Sequence, residues 1–187
     1  MDPVEKPTLA TPDEVVSFWR EAGPERWFAR DEALDAACRE RFALTYEAAA
    51  RGDLNDWELT PDGALAVVLL LDQFPRNMFR GTRRVYATDP AALMAADRAI
   101  EKGYDREVDP ALRSFFYLPF THAEDLGHQE RSVALHEAVG DGNSVKWAHH
   151  HRDIIARFGR FPHRNAILGR ETTPEEETFL AESDFRG

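Results

Sequence analysis

The sequence predicts an all-α protein, on three observations. Threonine or aspartate followed by proline recurs along the chain, as is typical of helix N-termini. Glycines follow several runs with helical periodicity, where a helix is expected to end: Gly23, Gly52, Gly103 and Gly140. No stretch shows the sustained alternation of apolar and polar residues that a half-buried strand requires. We therefore expect a compact multi-helix domain of stacked antiparallel helix pairs.

Capping motifs place the helices in order. Thr11-Pro12-Asp13-Glu14 carries a hydroxyl at the N-cap, proline at the first position and glutamate at the third, which is a capping box. Thr173-Pro174-Glu175-Glu176 repeats this arrangement, and Thr121-His122-Ala123-Glu124 has it without the proline. Together with the glycine stops, these motifs predict the following helices: 12–22, 31–51, 61–73, 90–102, 110–118, 122–139, 145–159 and 174–182.

The length of 187 residues fits one domain over 1–187, and the acidic residues 1–10 are expected to be frayed. Within this domain, Ala64–Leu71 is apolar on every face of a helix. Such a helix must be buried on all sides, so it is predicted to be the central element. His151 falls on an apolar stripe that runs from Trp147 to Ile155, so we expect its ring to be at least partly buried, with its neighbours His149 and His150 facing solvent.

Composition disfavours several classes of protein. A net charge of −11 disfavours binding to nucleic acid or to an anionic membrane surface, both of which attract basic proteins. Ala64–Leu71, the longest apolar run, is too short to cross a bilayer, and no N-terminal basic-then-apolar segment resembles a secretory signal. The single cysteine, Cys38, excludes an intrachain disulfide and a cysteine-rich zinc site. These observations predict a cytoplasmic protein.

A near-duplication is the strongest internal feature. Phe74-Pro75-Arg76-Asn77 and Phe161-Pro162-His163-Arg164-Asn165 each follow a helical run. Because proline disfavours continuation of the preceding helix and suits the first turn of the next, Arg76 and Arg164 are expected near a helix start. The helix dipole favours an anion there, so each arginine requires a negative partner.

Two kinds of partner are open for these arginines. One is an internal carboxylate, with four candidates in the sequence: Asp72, Glu124, Asp125 and Asp153. The other is a bound phosphate or carboxylate, which planar guanidinium groups suit. The ligand-binding residues would then be those of the duplicated segments: Arg76, Asn77, His163, Arg164 and Asn165.

Candidate catalytic residues are His122, Glu124 and His151. His122 and Glu124 are spaced for a general acid/base pair, although helix capping explains Glu124 equally well. The Pro-Cys-x-x-Cys and His-Glu-x-x-His motifs of zinc enzymes are absent. The consecutive residues His149–His151 point around a helix at about 100° intervals, so they cannot share one ion. His122 with Glu124, or a pair drawn from His122, His151 and His163, could instead bind a metal ion. With these weak signals and no glycine-rich phosphate loop, we expect no metal and no cofactor.

Three longer segments resemble a known bacterial family, the one named domain of unknown function 924: Leu70–Asn77, Tyr117–Asp125 and His151–Asn165. The resemblance extends from Val15–Trp19 to Thr173–Glu176. It implies an all-helical, tetratricopeptide-like arrangement of helix pairs and, because the activity of the family is not established, no catalytic roles. Ala123 stands where members often have serine, so a mechanism that needs this hydroxyl is not expected here.

Two hypotheses for function follow. In the first, the Arg/Asn segments bind an anionic metabolite, and in its enzymatic version the histidines transfer protons during hydrolysis or isomerisation of a phosphorylated or carboxylated substrate. In the second, tetratricopeptide-like helix pairs form a scaffold for a protein partner, and the Arg/Asn segments are internal clasps.

Overall fold

The structure, a computed structural model, describes residues 8–183. Throughout this part of the chain the secondary structure is helical and no strand occurs, which confirms the all-α prediction. None of these helices combines the length and the apolar character needed to span a membrane. Of the segment predicted to be frayed, residues 1–7 lie outside the described part; Ala10 is held by its N–H, which donates to Thr45 Oγ1 at 2.9 Å.

The described residues form two compact units. The N-terminal unit comprises residues 8–80 and 84–116, and the C-terminal unit comprises residues 81–83 and 117–183. The α-helices of the N-terminal unit are α1 (Pro12–Ala22), α2 (Pro24–Trp27), α3 (Glu32–Ala50), α4 (Pro61–Val68), α5 (Phe74–Met78) and α6 (Asp89–Glu101). Those of the C-terminal unit are α7 (Leu118–Thr121), α8 (Leu126–Val139), α9 (Gly142–Phe158), α10 (Asn165–Leu168) and α11 (Pro174–Glu182). The single domain over 1–187 and the tetratricopeptide-like arrangement stay predictions.

Short 3₁₀-helices connect several of these elements: Asn55–Leu59, Arg83–Tyr86, Tyr104–Arg106, Arg113–Phe116 and Pro162–Arg164. The α-helix predicted over 110–118 is wrong, because only the 3₁₀ segment Arg113–Phe116 forms there. Both predicted proline capping boxes are confirmed. Thr11 and Thr173 each accept from the third backbone N–H, while Glu14 and Glu176 accept from the cap N–H.

The core of the N-terminal unit surrounds α4 and the turn that follows it. All side chains from Ala64 to Leu71 are buried, which confirms the central helix predicted from its apolar faces. Helices α1 and α6 pack against α4, and α3 packs against α5. In this core the buried ring of Phe74 contacts the buried rings of both Trp19 and Phe42. Cys38 on α3 is completely buried, as expected for a packed thiol.

The helix does not stop at Pro75, and in this respect the sequence-based prediction is wrong. A π-helical turn joins α4 to α5, so that the Phe74 N–H donates to the Leu69 carbonyl five residues back. Pro75 has no N–H to offer the Leu71 carbonyl four residues before it. That carbonyl instead accepts a hydrogen bond from Thr88 Oγ1 at 2.6 Å. The wider turn and the threonine together accommodate the proline inside a continuous helix.

The C-terminal unit is built on the hairpin of α8 and α9, with α7 packed on α8. Gly140, in the left-handed region at φ 79°, ends α8 and confirms the predicted stop. Gly159, at φ 71°, ends α9, and the chain then becomes extended at Phe161. A small core forms around Ile154, Ile155 and Phe161.

Candidate functional site

The two duplicated Arg/Asn segments lie in different units. In the N-terminal unit, Arg76 lies inside the continuous helix rather than at the helix start that the sequence predicted. Its guanidinium donates to both carboxylate oxygens of Asp89, at 2.9 and 3.1 Å, and to the Asp72 carbonyl at 2.7 Å. The Asp72 carboxylate, itself fully buried, is 3.5 Å from Arg76 Nη1. Arg76 therefore has the internal carboxylate partners of the first alternative.

Electrostatics in this helix support the same interpretation. Burial alone would lower the pKa of Arg76, but the carboxylates of Asp72 and Asp89 raise it above its ordinary value. Asn77, also buried, donates to Asp35 Oδ1 at 2.8 Å, and Arg80 donates to both oxygens of Asp35. Thus Arg76 and Asn77 connect elements of the N-terminal unit. The ligand-binding role assigned to these two residues stays a prediction.

In the C-terminal unit the second segment lies within a network of ion pairs, here called the clasp network: Glu124, Arg160, Asn165, Arg170 and Glu176. Arg170 donates to both Glu124 oxygens, at 2.7 and 2.9 Å, and to Asn165 Oδ1 at 2.9 Å. Asn165 is completely buried and donates through Nδ2 to Glu176 Oε2 at 3.1 Å. Arg160 donates to both oxygens of Glu176. Asn165 is therefore the bridge between the two ion pairs.

Glu124 does not cap a helix, contrary to the predicted capping box. Helix α8 begins at Leu126, and its N-cap is Asp125, whose carboxylate accepts from the His128 N–H at 2.9 Å. The Glu124 carboxylate accepts from the Phe161 N–H at 2.7 Å as well as from Arg170. Burial tends to raise the pKa of Glu124, but these hydrogen bonds together with the nearby guanidinium of Arg164 lower it below its ordinary value. A carboxylate held in this way is a poor proton donor.

Arg164 has a different environment from Arg76. Its side chain is buried, and its Cζ lies 4.7 Å from the centroid of the Phe161 ring, in a cation–π contact. Its Nη2 donates to the His122 carbonyl at 2.9 Å. The guanidinium of Arg164 also lies near the Glu124 carboxylate of the clasp network, whose pKa it helps to lower.

Three partly exposed histidines are linked to Arg164, His122 through its carbonyl, and His151 and His163 through the Phe161 ring; their rings are called the imidazole cluster. The His151 ring is 5.6 Å from the Phe161 ring, and the His163 ring is 5.7 Å from it on centroids. Burial lowers the pKa of His151 below its ordinary value, and the charges of His122 and His163 act in the same direction. The structure thus brings His151 and His163 together with Arg164, around Phe161.

The rest of α9 differs in part from its prediction. Trp147 is 48% exposed, although it was expected on the apolar stripe, while His151 is partly buried as expected. His149 and His150 are also partly buried rather than fully solvent-facing, and His149 Nε2 lies 3.0 Å from Glu137 Oε1 on α8. In the described part of the chain, no three His, Cys, Asp or Glu side chains are grouped so as to hold a metal ion.

Sequence reasoning missed the partners that organise this site. Arg170 and Glu124 are 46 residues apart, and Arg160 and Glu176 are 16 residues apart. Glu176 was identified only as a capping residue, a role it does have, since it accepts from the Thr173 N–H at 2.8 Å. No local motif encodes such pairings. The one available signal is that the segment from Arg157 to Arg170 is rich in arginine within an acidic chain.

Comparison with known proteins agrees with the resemblance in the motifs. The family model described as bacterial protein of unknown function (DUF924) matches residues 15–184. A solved structure of a protein of unknown function from Agrobacterium tumefaciens is 52% identical in sequence, with a TM-score of 0.89. The match covers 92% of this chain and 97% of that one. No curated protein matches the chain.

Proposed function

The chain belongs to the bacterial DUF924 family, and on the chemistry of its own side chains we propose that the C-terminal unit binds a small anionic metabolite through a phosphate or carboxylate group. The site consists of the imidazole cluster and Arg164. The observation that carries the proposal is that the guanidinium of Arg164 and the partly exposed rings of His151 and His163 all contact the Phe161 ring. In a chain with a net charge of −11, a guanidinium grouped with imidazole N–H donors is the kind of site that suits a phosphate or carboxylate group.

The N-terminal copy supports the assignment by contrast. Arg76 pairs with Asp72 and Asp89, and its unit contains no histidine that could join it in a ligand site. We therefore assign anion binding to Arg164 and His163, and a structural role to Arg76 and Asn77. In an enzymatic version, His151 is better suited to proton transfer than Glu124, because Glu124 already accepts three hydrogen bonds.

We also propose a cytoplasmic location, supported by the single, fully buried cysteine. Cys38 has no cysteine with which to form an intrachain disulfide, and proteins of reducing compartments commonly lack disulfides.

Anion titration of the protein tests the proposed site. Inorganic phosphate and propionate are added separately while amide and ring resonances are followed by NMR. We expect shifts concentrated at His122, His163 and Phe161, with binding weakened about tenfold in Arg164→Gln, since a hydrogen bond to a charged group contributes about 1.5 kcal/mol or more. The matched control is Arg157→Gln, which removes the same charge from an exposed arginine paired with Glu175.

The two variants separate a specific site from general charge attraction. Equal weakening in Arg164→Gln and Arg157→Gln would contradict the proposal, and so would wild-type shifts spread evenly over the surface. Since Arg164 is buried, its variant must first show an intact spectrum. If it does not, His163→Asn, which changes a partly exposed ring, takes its place, and unchanged anion binding in that variant would count against the site.

The scaffold hypothesis is the second candidate, and one observation favours it. Arg76, Asn77 and Asn165 all bond to internal groups, as clasps that fix helix packing would. In that case neither anion binds at the imidazole cluster, and the same titration decides between the two functions. A scaffold would also leave the histidine rings unaffected by either anion.

A further inference from the structure

We infer that Gln129 is a positioning residue for the proposed anion site, because its buried side-chain amide holds the backbone on both sides of His122. This assignment rests on the proposed function, in which His122 is part of the site, and deepens it by naming the residue that sets the direction of the His122 ring. Gln129 is completely buried, so it acts through His122 and not by contact with the anion.

His122 lies in the short connection between α7 and α8. Helix α7 ends at Thr121, and α8 begins at Leu126 after its N-cap, Asp125. Carbonyl groups at and beyond the end of a helix have no donor within that helix, so the buried ones require donors from elsewhere in the protein. The conformation of this connection therefore depends on the side chains that supply those donors.

Gln129 on α8 supplies donors to two of these carbonyls. Its Nε2 atom donates to the Thr121 and Ala123 carbonyls, each at 2.7 Å, and more weakly to the Phe120 carbonyl at 3.4 Å. Only the amide nitrogen suits this position, since an oxygen there would face three acceptors. The Gln129 Oε1 atom is also buried and receives no hydrogen bond from the described part of the chain. The donor end of the amide is therefore what links α8 to the connection.

The carbonyl between these two belongs to His122, and it accepts from Arg164 Nη2 at 2.9 Å. Three successive carbonyls are thus bonded by side chains, the outer two by Gln129 and the middle one by Arg164. One residue further on, the Glu124 carboxylate accepts from the Phe161 N–H at 2.7 Å. These bonds fix the backbone before and after His122 and so set the direction in which its ring leaves the chain.

Ser132, about one turn further along α8, separates positioning from ordinary packing. Its side chain is completely buried, as that of Gln129 is, and its Oγ lies 2.6 Å from Thr121 Oγ1. Ser132 therefore bonds the same helix α7, but through a side chain and not through the carbonyls beside His122. Removal of either group should destabilise the C-terminal unit, whereas only removal of the Gln129 amide should alter His122.

The experiment measures binding of inorganic phosphate and urea unfolding in the full chain. Gln129→Met keeps the length of the side chain and removes the donor, and Ser132→Ala is the matched control. We expect Gln129→Met to weaken phosphate binding about tenfold, as the loss of one hydrogen bond from the His122 ring predicts, and Ser132→Ala to leave it unchanged. Both variants should lower the free energy of unfolding. The backbone ¹³C shifts of His122 and Ala123 should change in Gln129→Met only.

A double-mutant cycle with His122→Asn shows whether Gln129 acts through the ring. Phosphate binding should be weakened equally in His122→Asn and in the double variant, because the ring that Gln129 directs is already absent. Additive weakening by the two substitutions overturns the inference and leaves the anion site intact. Equal phosphate binding by Gln129→Met and Ser132→Ala does the same.

The wild-type protein separates this inference from the proposed function. If neither phosphate nor propionate binds to it, the proposed function is overturned and the assignment of Gln129 falls with it. If Gln129→Met does not fold, the Gln129 side-chain amide of the wild type decides, since its NMR signals should shift during the phosphate titration with the same Kd as those of the His122 ring. An unshifted amide together with a shifted ring overturns the assignment.

Discussion

The segments Phe74–Asn77 and Phe161–Asn165 have nearly the same sequence but different backbone conformations. The first lies inside a helix that continues from α4 through a π-helical turn, and the second follows a helix that has ended. The residues before the proline account for this. Gly159 adopts a left-handed conformation that stops α9, whereas Asp72 and Gln73 at the corresponding place stay helical. Proline alone therefore does not end a helix here.

The two units also differ in the chemistry they carry. All seven histidines of the chain lie in the C-terminal unit, between His122 and His163. The buried polar network of the N-terminal unit depends instead on arginine and aspartate side chains. We therefore expect mild acid to destabilise the C-terminal unit. Substitutions of core ion pairs should instead destabilise the N-terminal unit.

The largest expected effect comes from a substitution in Phe74–Asn77, the segment that lies inside a continuous helix. Arg76→Gln leaves the fully buried carboxylate of Asp72 without its cation, so we expect the free energy of unfolding to fall by about 3–5 kcal/mol. The matched control Arg20→Gln removes an exposed arginine paired with Asp109 and should cost at most about 1 kcal/mol. Urea unfolding measures both. Equal losses would show that the charge of the Asp72 site needs no compensation.

The next effect is a loss of stability in mild acid, caused by His136. Its ring is buried against Tyr117, and burial lowers its pKa to about 4. The unfolded chain binds a proton below about pH 6.5 and the folded chain does not, so stability falls as the pH drops from about 6.5 to 4. His136 should contribute about 3 kcal/mol to this loss, since one pKa unit corresponds to about 1.4 kcal/mol, and His151, whose pKa burial also lowers, adds to it.

Hydrogen exchange at pH 7 and pH 5 checks this expectation, and it should show α8 and α9 losing protection before α3 and α4 do. His136→Phe keeps an aromatic ring and should reduce the acid sensitivity. His128→Gln, at an exposed position, should leave it in place. The carboxylates with lowered pKa, such as Glu176, lose their stabilising effect only below about pH 4.5 and act outside this window. Uniform loss of protection in both units would contradict the prediction.

The smallest expected effect concerns Gly159, which ends α9 before the segment Phe161–Asn165. Gly159→Ala places a Cβ at φ 71°, which should cost about 1–2 kcal/mol. Gly142→Ala, in the first turn of α9 where φ is not positive and no atom lies near the new methyl group, is the matched control and should be neutral or slightly stabilising. Thermal unfolding compares them, and a harmless Gly159→Ala would mean that the left-handed conformation is not what ends α9.

The sequence was sufficient for the parts of the fold governed by local chemistry. The caps at Thr11 and Thr173, the stop at Gly140 and the burial of Ala64–Leu71 all follow from a few neighbouring residues, and all are confirmed. The continuous helix through Pro75 could not be predicted, because it depends on a hydroxyl from Thr88 bonding the Leu71 carbonyl.

In the candidate site, too, features set by neighbouring residues could be predicted and features set by tertiary packing could not. His151 lies on α9, which directly precedes the Phe-Pro-His-Arg-Asn segment, so the sequence predicts that the two are close. The contact of His151 with Phe161 agrees with this expectation. The pairing of Glu124 with Arg170 and of Arg160 with Glu176 is set by tertiary packing, so the residues that balance charge at the site were not accessible from local patterns.

The reactivity of the buried Cys38 thiol reports on the opening of the N-terminal unit. Burial raises the pKa of Cys38 to about 12, and the side chain has no exposed surface, so the thiolate that alkylating reagents attack does not form in the closed structure at neutral pH. Modification therefore requires α3 to separate from its neighbours, and the modification rate depends on how often this separation occurs. The modification rate of Cys38 therefore measures opening motions of the N-terminal unit, which has no histidines, and no engineered label is needed.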